Sequence, residues 1–306
     1  MGLFHCPMGA AFYDDDDCID CGMCSATTQE EMVAASKKIR AYLRSHTVDK
    51  GVIQKIAVSG KGGVGKSSVV TLVANALVGK GYRVLVLDTD ESNPGLYRMF
   101  GFNAEPKPLL TLLSRFSPGE AEANTEWITR DEIAIEDIPA EYILSRDGLK
   151  FLAVGKIEDP FQGCACSIAD ITRELMGKLV IGENEVVLVD LEAGIESFGR
   201  GIERSVDTVL MVVEPSFESI SLAGKIGYMA EGMGISRVRA VLNKVPSEKV
   251  RQRMVEELDQ KGVQSIGTIY YDPELSEAGF EGTALGNSRA LEDVKGIIES
   301  LLNGTG

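Results

Sequence analysis

The chain has 306 residues, 44% of them hydrophobic and 25% charged, a composition that suits one well-buried α/β domain with a small appendage. Forty-six acidic side chains against 31 basic ones leave a net charge of −15, which disfavours binding to phosphate backbones and anionic lipid surfaces. No apolar run approaches the ~20 residues of a membrane span, and Asp14 to Asp17 stand where a signal peptide would be basic and then apolar, so a cytoplasmic chain with no nucleic-acid or membrane partner is expected.

Residues 1–27 are rich in Cys, Asp and Gly and have no helical or strand period. Thr28 and Glu31 then form a capping-box pattern. Met32, Ala35, Ile39, Tyr42 and Leu43 follow at helical spacing, predicting a helix that ends near His46 and a linker to Gly51. From residue 52 to 306 the pattern is that of one larger domain. Ile53 to Ser59 is an apolar run feeding a Gly-rich turn, a helix is expected from Gly65 to about Lys80, and Arg83 to Leu87 is a second run. Leu149–Val154, Val186–Val189, Val209–Val213 and Arg239–Leu242 supply four more, with a seventh at Gln264–Ile269. Continuous apolar strands separated by helices predict a mostly parallel sheet covered on both faces. Residues 103–148 fit least well and read as an irregular, partly helical insertion.

Gly60-Lys61-Gly62-Gly63-Val64-Gly65-Lys66-Ser67 satisfies G-x-x-x-x-G-K-[ST], and it lies where a phosphate loop must lie, after a strand and opening a helix. Gly60 through Ser67, with Ser68 beside them, are the expected nucleotide-binding residues. Backbone N–H groups and the helix dipole would cradle the phosphates of ATP or ADP. Lys66 would neutralise the β and γ phosphates, and the Ser67 hydroxyl would ligate Mg²⁺. Two acidic clusters end predicted strands: Asp88-Thr89-Asp90, and Asp190 after Val186–Val189. Asp190 is placed as a Walker B acid would be and would hold Mg²⁺ through water, and Gly194 would let the next segment follow the γ-phosphate. His5 and His46 are the only histidines, and no Ser/His/Asp or Cys/His catalytic arrangement is supported.

The second loop lysine, Lys61, makes the motif K-G-G-x-G-K-[ST], which resembles the deviant-Walker-A P-loop ATPases. The resemblance implies that Lys61 reaches across an ATP-dependent homodimer to the partner's nucleotide. It also implies that Asp90 positions the attacking water, that Asp88 supports the Mg²⁺ shell, and that Asn243 and Lys244 lie at the adenine. On this basis Lys61, Lys66, Asp90 and Asp190 are the expected catalytic group. Within that group, Asp190-Leu191-Glu192-Ala193-Gly194-Ile195-Glu196, the Gly199-Arg200-Gly201 after it and Val213-Glu214-Pro215-Ser216 resemble the CooC-type ATPases that insert nickel into carbon-monoxide dehydrogenase. So does Gly163-Cys164-Ala165-Cys166.

Two thiolates cannot complete a tetrahedral soft-metal site, but Cys164 and Cys166 from each half of a symmetric dimer would make one for Ni²⁺ or Zn²⁺. Free cysteines that act as small hydrophobes are the alternative there. Cys18-Ile19-Asp20-Cys21-Gly22-Met23-Cys24 is C-x₂-C-x₂-C and resembles the first half of a bacterial ferredoxin motif. With Cys6 it makes a local four-cysteine set, suited first to a [4Fe–4S] cluster and second to a structural zinc. A segment this short cannot build an apolar core, and a bound metal would explain how it folds.

The expected function is therefore a dimeric ATPase assisting metal insertion into, or maturation of, a client nickel enzyme of the carbon-monoxide dehydrogenase/acetyl-CoA synthase class. The second reading is an ATP-dependent iron–sulfur electron-transfer protein, similar to nitrogenase iron protein, acting on a corrinoid protein or metal-cluster partner. A Min/Par-type positioning ATPase comes third. For membrane attachment that type uses a basic C-terminal helix, whereas Leu291–Leu302 carries Glu292, Asp293 and Glu299 against Lys295.

Overall fold

The computed structural model describes residues 19–46, 53–90, 95–112, 126–155, 165–195, 205–233, 235, 237–285 and 288–303. His5, Cys6, Cys18, Cys164, Glu196, Gly199-Arg200-Gly201 and the expected linker from Thr47 to Gly51 lie outside the described residues.

Helix α1 (Gln29–His46) opens with the expected reciprocal cap: the Thr28 N–H donates to the Glu31 carboxylate at 3.0 Å, and the Glu31 N–H donates to Thr28 Oγ1 at 3.2 Å. Its apolar stripe is narrower than the spacing predicts. Ala35 and Ile39 are buried, while Met32 and Tyr42 are exposed, because only one line of the helix meets the neighbouring α5 (Phe217–Gly232).

The central sheet is built from β1 (Lys55–Gly60), β2 (Arg83–Asp88), β4 (Ile143–Arg146), β5 (Leu149–Ala153), β7 (Glu185–Asp190), β8 (Thr208–Val213), β9 (Arg237–Val245) and β10 (Gln264–Tyr270). The remaining pair, β3 (Ile133–Ala134) and β6 (Leu179–Val180), is a separate short parallel ladder. The order across the large sheet is β10-β9-β8-β1-β7-β2-β5-β4, all parallel except β4, which pairs antiparallel with β5. β7 and β8 are buried at every position, as continuous apolar strands with helices on both sides must be. Ile56 and Val58 face a core closed by α2 (Lys66–Gly79) and α8 (Arg289–Leu302). Ala57, Val187 and Val209 face the opposite core, closed by α4 (Ala165–Lys178), α5 and α6 (Glu248–Asp259). α3 (Leu96–Met99) and α7 (Pro273–Glu281) are short additions. Among the described residues no helix is long and apolar enough to cross a membrane.

The described part of residues 103–148 departs from expectation in holding strands as well as helical turns. It contains 3-10 turns at Leu109–Leu112 and Ile135–Asp137 and the edge strand β4, joined to β5 by Asp147-Gly148 at φ 48° and 86°. An Asp-Gly pair between two apolar stretches is a hairpin signal, and it places a strand where only irregular and helical structure was expected.

The strand order places β1 between β7 and β8, strands that follow it in sequence by more than a hundred residues. Val58 is level with Asp190, Asp88 with Asp190, and Gly60 with Val212. The carboxyl ends of these strands therefore meet at one crevice, where open α/β sheets bind ligands.

Candidate functional site

The loop from Gly60 to Gly65 leaves β1 and enters α2 at Lys66, with Gly65 as the capping residue. The expected helix start at Gly65 thus shifts by one residue. Neighbouring strands hold the loop from several directions. The Gly194 N–H donates to the Gly60 carbonyl at 3.1 Å, the Leu191 N–H donates to the Val58 carbonyl at 3.1 Å, and Lys244 Nζ donates to the Gly63 carbonyl. Asn243 is buried, and its Nδ2 donates to the Val64 carbonyl at 2.7 Å. In this structure, then, Asn243 and Lys244 brace the phosphate loop. Removing Asn243 leaves a buried carbonyl unpaired, so Asn243→Ala is expected to cost about 1–3 kcal/mol, read from urea unfolding of the nucleotide-free protein. An unchanged midpoint would show that the brace is replaceable.

Lys66 is buried at the start of α2, and Ser67 and Ser68 are half-buried in its first turn. The Ser67 hydroxyl donates to Asp190 Oδ2 at 2.7 Å. The two acidic clusters, far apart in sequence, are joined at the ends of β2 and β7. The Thr89 hydroxyl and N–H both donate to the Asp190 carbonyl, at 2.7 and 3.1 Å, and the Asp90 N–H donates to Asp88 Oδ1 at 3.1 Å. Asp88, Asp90 and Asp190 are all buried, with Lys66 as a buried cation among them. Burial, and next the Asp88 charge, push the Asp190 carboxyl up to about 7, with Asp90 adding to the rise and the Ser67 hydrogen bond and Lys66 opposing it. Asp190 Oδ1 is buried with no hydrogen-bond partner among the described residues. An excess of buried carboxylate, an orphaned oxygen and an adjacent hydroxyl make a donor set that fits a hard divalent cation such as Mg²⁺.

Glu214, at the end of β8, was not among the expected site residues. Its carboxylate lies 3.8 Å from Lys61 Nζ and 3.5 Å from Lys244 Nζ. The available signal was the position of an acid directly after a buried strand, the same signal that picks out Asp88 and Asp190.

The cysteines are less gathered. Cys21 is buried and Cys24 exposed; they flank the start of a 3-10 turn at Met23–Ser25, with Asp20 at φ 49° and Gly22 at φ 83°. Among the described residues no group of three or more His, Cys, Asp or Glu side chains is placed to hold a metal. Cys6 and Cys18, the other members of the expected N-terminal set, lie outside them. Cys166 lies in the first turn of α4.

Comparisons with known proteins show the family and the fold. The family model described as the CobQ/CobB/MinD/ParA nucleotide binding domain matches residues 55–285. The uncharacterized ATP-binding protein MJ0084 of Methanocaldococcus jannaschii is 36% identical over 253 residues, covering 81% of this chain and 99% of the relative. The carbon monoxide dehydrogenase accessory protein CooC of Rhodospirillum rubrum is 34% identical over 235 residues, covering 74% of this chain and 88% of the relative. Among solved structures, the Pyrococcus furiosus cell division ATPase MinD superposes with a TM-score of 0.61 at 22% identity, over 82% of this chain and 99% of that one. That likeness establishes the fold. The chain belongs to the CobQ/CobB/MinD/ParA family of nucleotide-binding domains and is an ATP-binding P-loop ATPase.

Proposed function

We propose that this ATPase works as a homodimer assisting metal insertion into, or maturation of, a nickel enzyme of the carbon-monoxide dehydrogenase/acetyl-CoA synthase class. The observation that carries the proposal is the 34% identity extending over 88% of the Rhodospirillum rubrum CooC protein, a span that includes the Asp190-Leu191-Glu192-Ala193-Gly194 turn after β7. In this scheme the backbone N–H groups of Gly62 to Ser68 and the Lys66 ammonium bind the phosphates. The Ser67 hydroxyl and Asp190 hold Mg²⁺, with Asp88 supporting its water shell. Held there, Mg²⁺ would supply positive charge to offset the negative charge that develops on the phosphates. Asp90 orients the attacking water, and Asn243 and Lys244 border the adenine. Lys61 acts on the partner's nucleotide. ATP binding then closes the dimer, and hydrolysis reopens it. Cys164 and Cys166 of each subunit form one four-thiolate site whose cargo is Ni²⁺ or Zn²⁺.

The N-terminal cysteines favour a second reading, in which Cys6, Cys18, Cys21 and Cys24 hold a [4Fe–4S] cluster and the protein delivers electrons to a corrinoid or metal-cluster partner. Anaerobic metal analysis and EPR, with and without Mg-ATP, separate the two. The nickel reading expects about one Ni²⁺ or Zn²⁺ per ATP-bound dimer, lost in Cys166→Ser together with activation of the nickel client. A reducible iron–sulfur signal that changes with ATP, with no nickel or zinc bound, would replace that reading by the second. Sedimentation with DNA or anionic vesicles would instead favour a positioning role.

A further inference from the structure

Beyond these assignments, we infer that Glu214 is a positioning residue. It parks Lys61 inside its own subunit, and so makes engagement of Lys61 across the dimer depend on ATP. This rests on the trans role proposed above for Lys61.

The placement follows from the sheet. β8 lies beside β1, with Val212 level with Gly60, so the second residue after Val212 emerges next to the second residue of the loop. The backbone there is held firmly. The Glu214 N–H donates to Ser219 Oγ at 3.1 Å, the Ser216 N–H donates to the Glu214 carbonyl at 2.7 Å, and Ser216 Oγ caps α5 by accepting from the Ser219 N–H at 3.3 Å. Pro215 between them restricts the backbone further. The carboxylate is thus presented from a fixed point, with Lys61 on one oxygen and Lys244 on the other. Lys244 is itself tied to the loop through the Gly63 carbonyl and adopts φ 56°, a left-handed conformation uncommon for a side chain of its size. Glu214 therefore straddles two cations that flank the phosphate loop.

The Lys61 contact is long, and the two side chains remain 39% and 22% exposed. Pairs of this kind are weak. They hold a flexible lysine in place without locking it. A triphosphate bound in the partner subunit carries several times the charge of one carboxylate and draws Lys61 off Glu214. An ammonium retained on Glu214 cannot at the same time reach a nucleotide in the partner subunit. The nucleotide-free protein thus keeps its trans lysine occupied, which suppresses dimers that hold no ATP.

The test uses the full chain with a non-hydrolysable ATP analogue and Mg²⁺. Dimerisation is followed by sedimentation and ADP affinity by calorimetry, in Glu214→Gln, Glu214→Asp and Lys61→Ala. Glu214→Asp keeps the charge but is one methylene short of Lys61. Both Glu214 variants are expected to reach half-maximal dimerisation at about threefold lower analogue concentration, the size of effect a weak ion pair can exert. ADP affinity should change less than twofold in Glu214→Asp. A shift in Glu214→Gln alone, or ADP affinity moving as much as dimerisation, would mean that Glu214 merely repels phosphate, and would overturn the inference. So would an absence of any shift while Lys61→Ala stays monomeric. Should Lys61→Ala dimerise as the wild type does, it is the trans role of Lys61 that falls, and the parking role with it.

Discussion

Replacing Asp190 by Asn is expected to stabilise the nucleotide-free protein at pH 8 while abolishing ATP hydrolysis. The carboxyl titrates at about 7 in the folded chain and near 3.9 when unfolded. A carboxyl whose pKa is raised on folding favours the native state while it is protonated. Its contribution is therefore fully present below about pH 4 and is lost as pH rises towards about 7. That difference of roughly three units corresponds to about 4 kcal/mol. Asn keeps an oxygen for the Ser67 hydroxyl and carries no charge, so the variant should gain roughly 2–4 kcal/mol over wild type at pH 8 and little at pH 4. Urea unfolding at the two pH values checks this, and a variant no more stable than wild type at pH 8 would refute it. ATP turnover with Mg²⁺ should fall at least ~100-fold. A site that weakens the empty protein and is needed for turnover has its charge placed for a ligand, a familiar conflict between stability and activity.

The second large effect concerns the loop itself. Gly60→Ala is expected to destabilise the chain by at least about 2 kcal/mol and to eliminate nucleotide binding. Gly60 has φ 152°, and a Cβ there would lie 2.5 Å from the Val212 carbonyl oxygen. Because that oxygen belongs to the backbone of a central strand, it cannot move aside without breaking the sheet register. Gly62 offers the contrast. A Cβ there would meet only the Ala193 Cβ, at 3.7 Å, an ordinary contact, so Gly62→Ala should change stability by no more than about 0.5 kcal/mol. Denaturant midpoints and titration with a fluorescent ATP analogue measure both. Equal effects from the two substitutions would show that the approach of β8 to β1 does not limit the loop.

These two glycines show how far the motif could be read by itself. Its spacing located the loop and put Lys66 and Ser67 at the start of α2, because phosphate binding needs a contiguous run of backbone N–H groups at a helix start, and contiguity is visible in a sequence. Which glycine tolerates a side chain depends on Val212, some 150 positions away. The N-terminal helix has the same division. Its Thr28–Glu31 cap is local and was legible, whereas the exposure of Met32 and Tyr42 depends on how much of α1 meets α5. The edge strand β4 was missed although Asp147-Gly148 signalled it, because a four-residue strand offers too few positions for its period to show.

By itself the sequence determined the parallel α/β class, the phosphate loop and the acids that end its strands, since apolar runs, loop spacing and strand ends are all short-range patterns. Only the tertiary structure decided that β1 lies between β7 and β8, which brings Asp190 to Ser67 and Glu214 to Lys61. It also set the electrostatics. Asp190 is raised because its surroundings are dry and Asp88 stands beside it, and both conditions arise only when distant strands pair and exclude water.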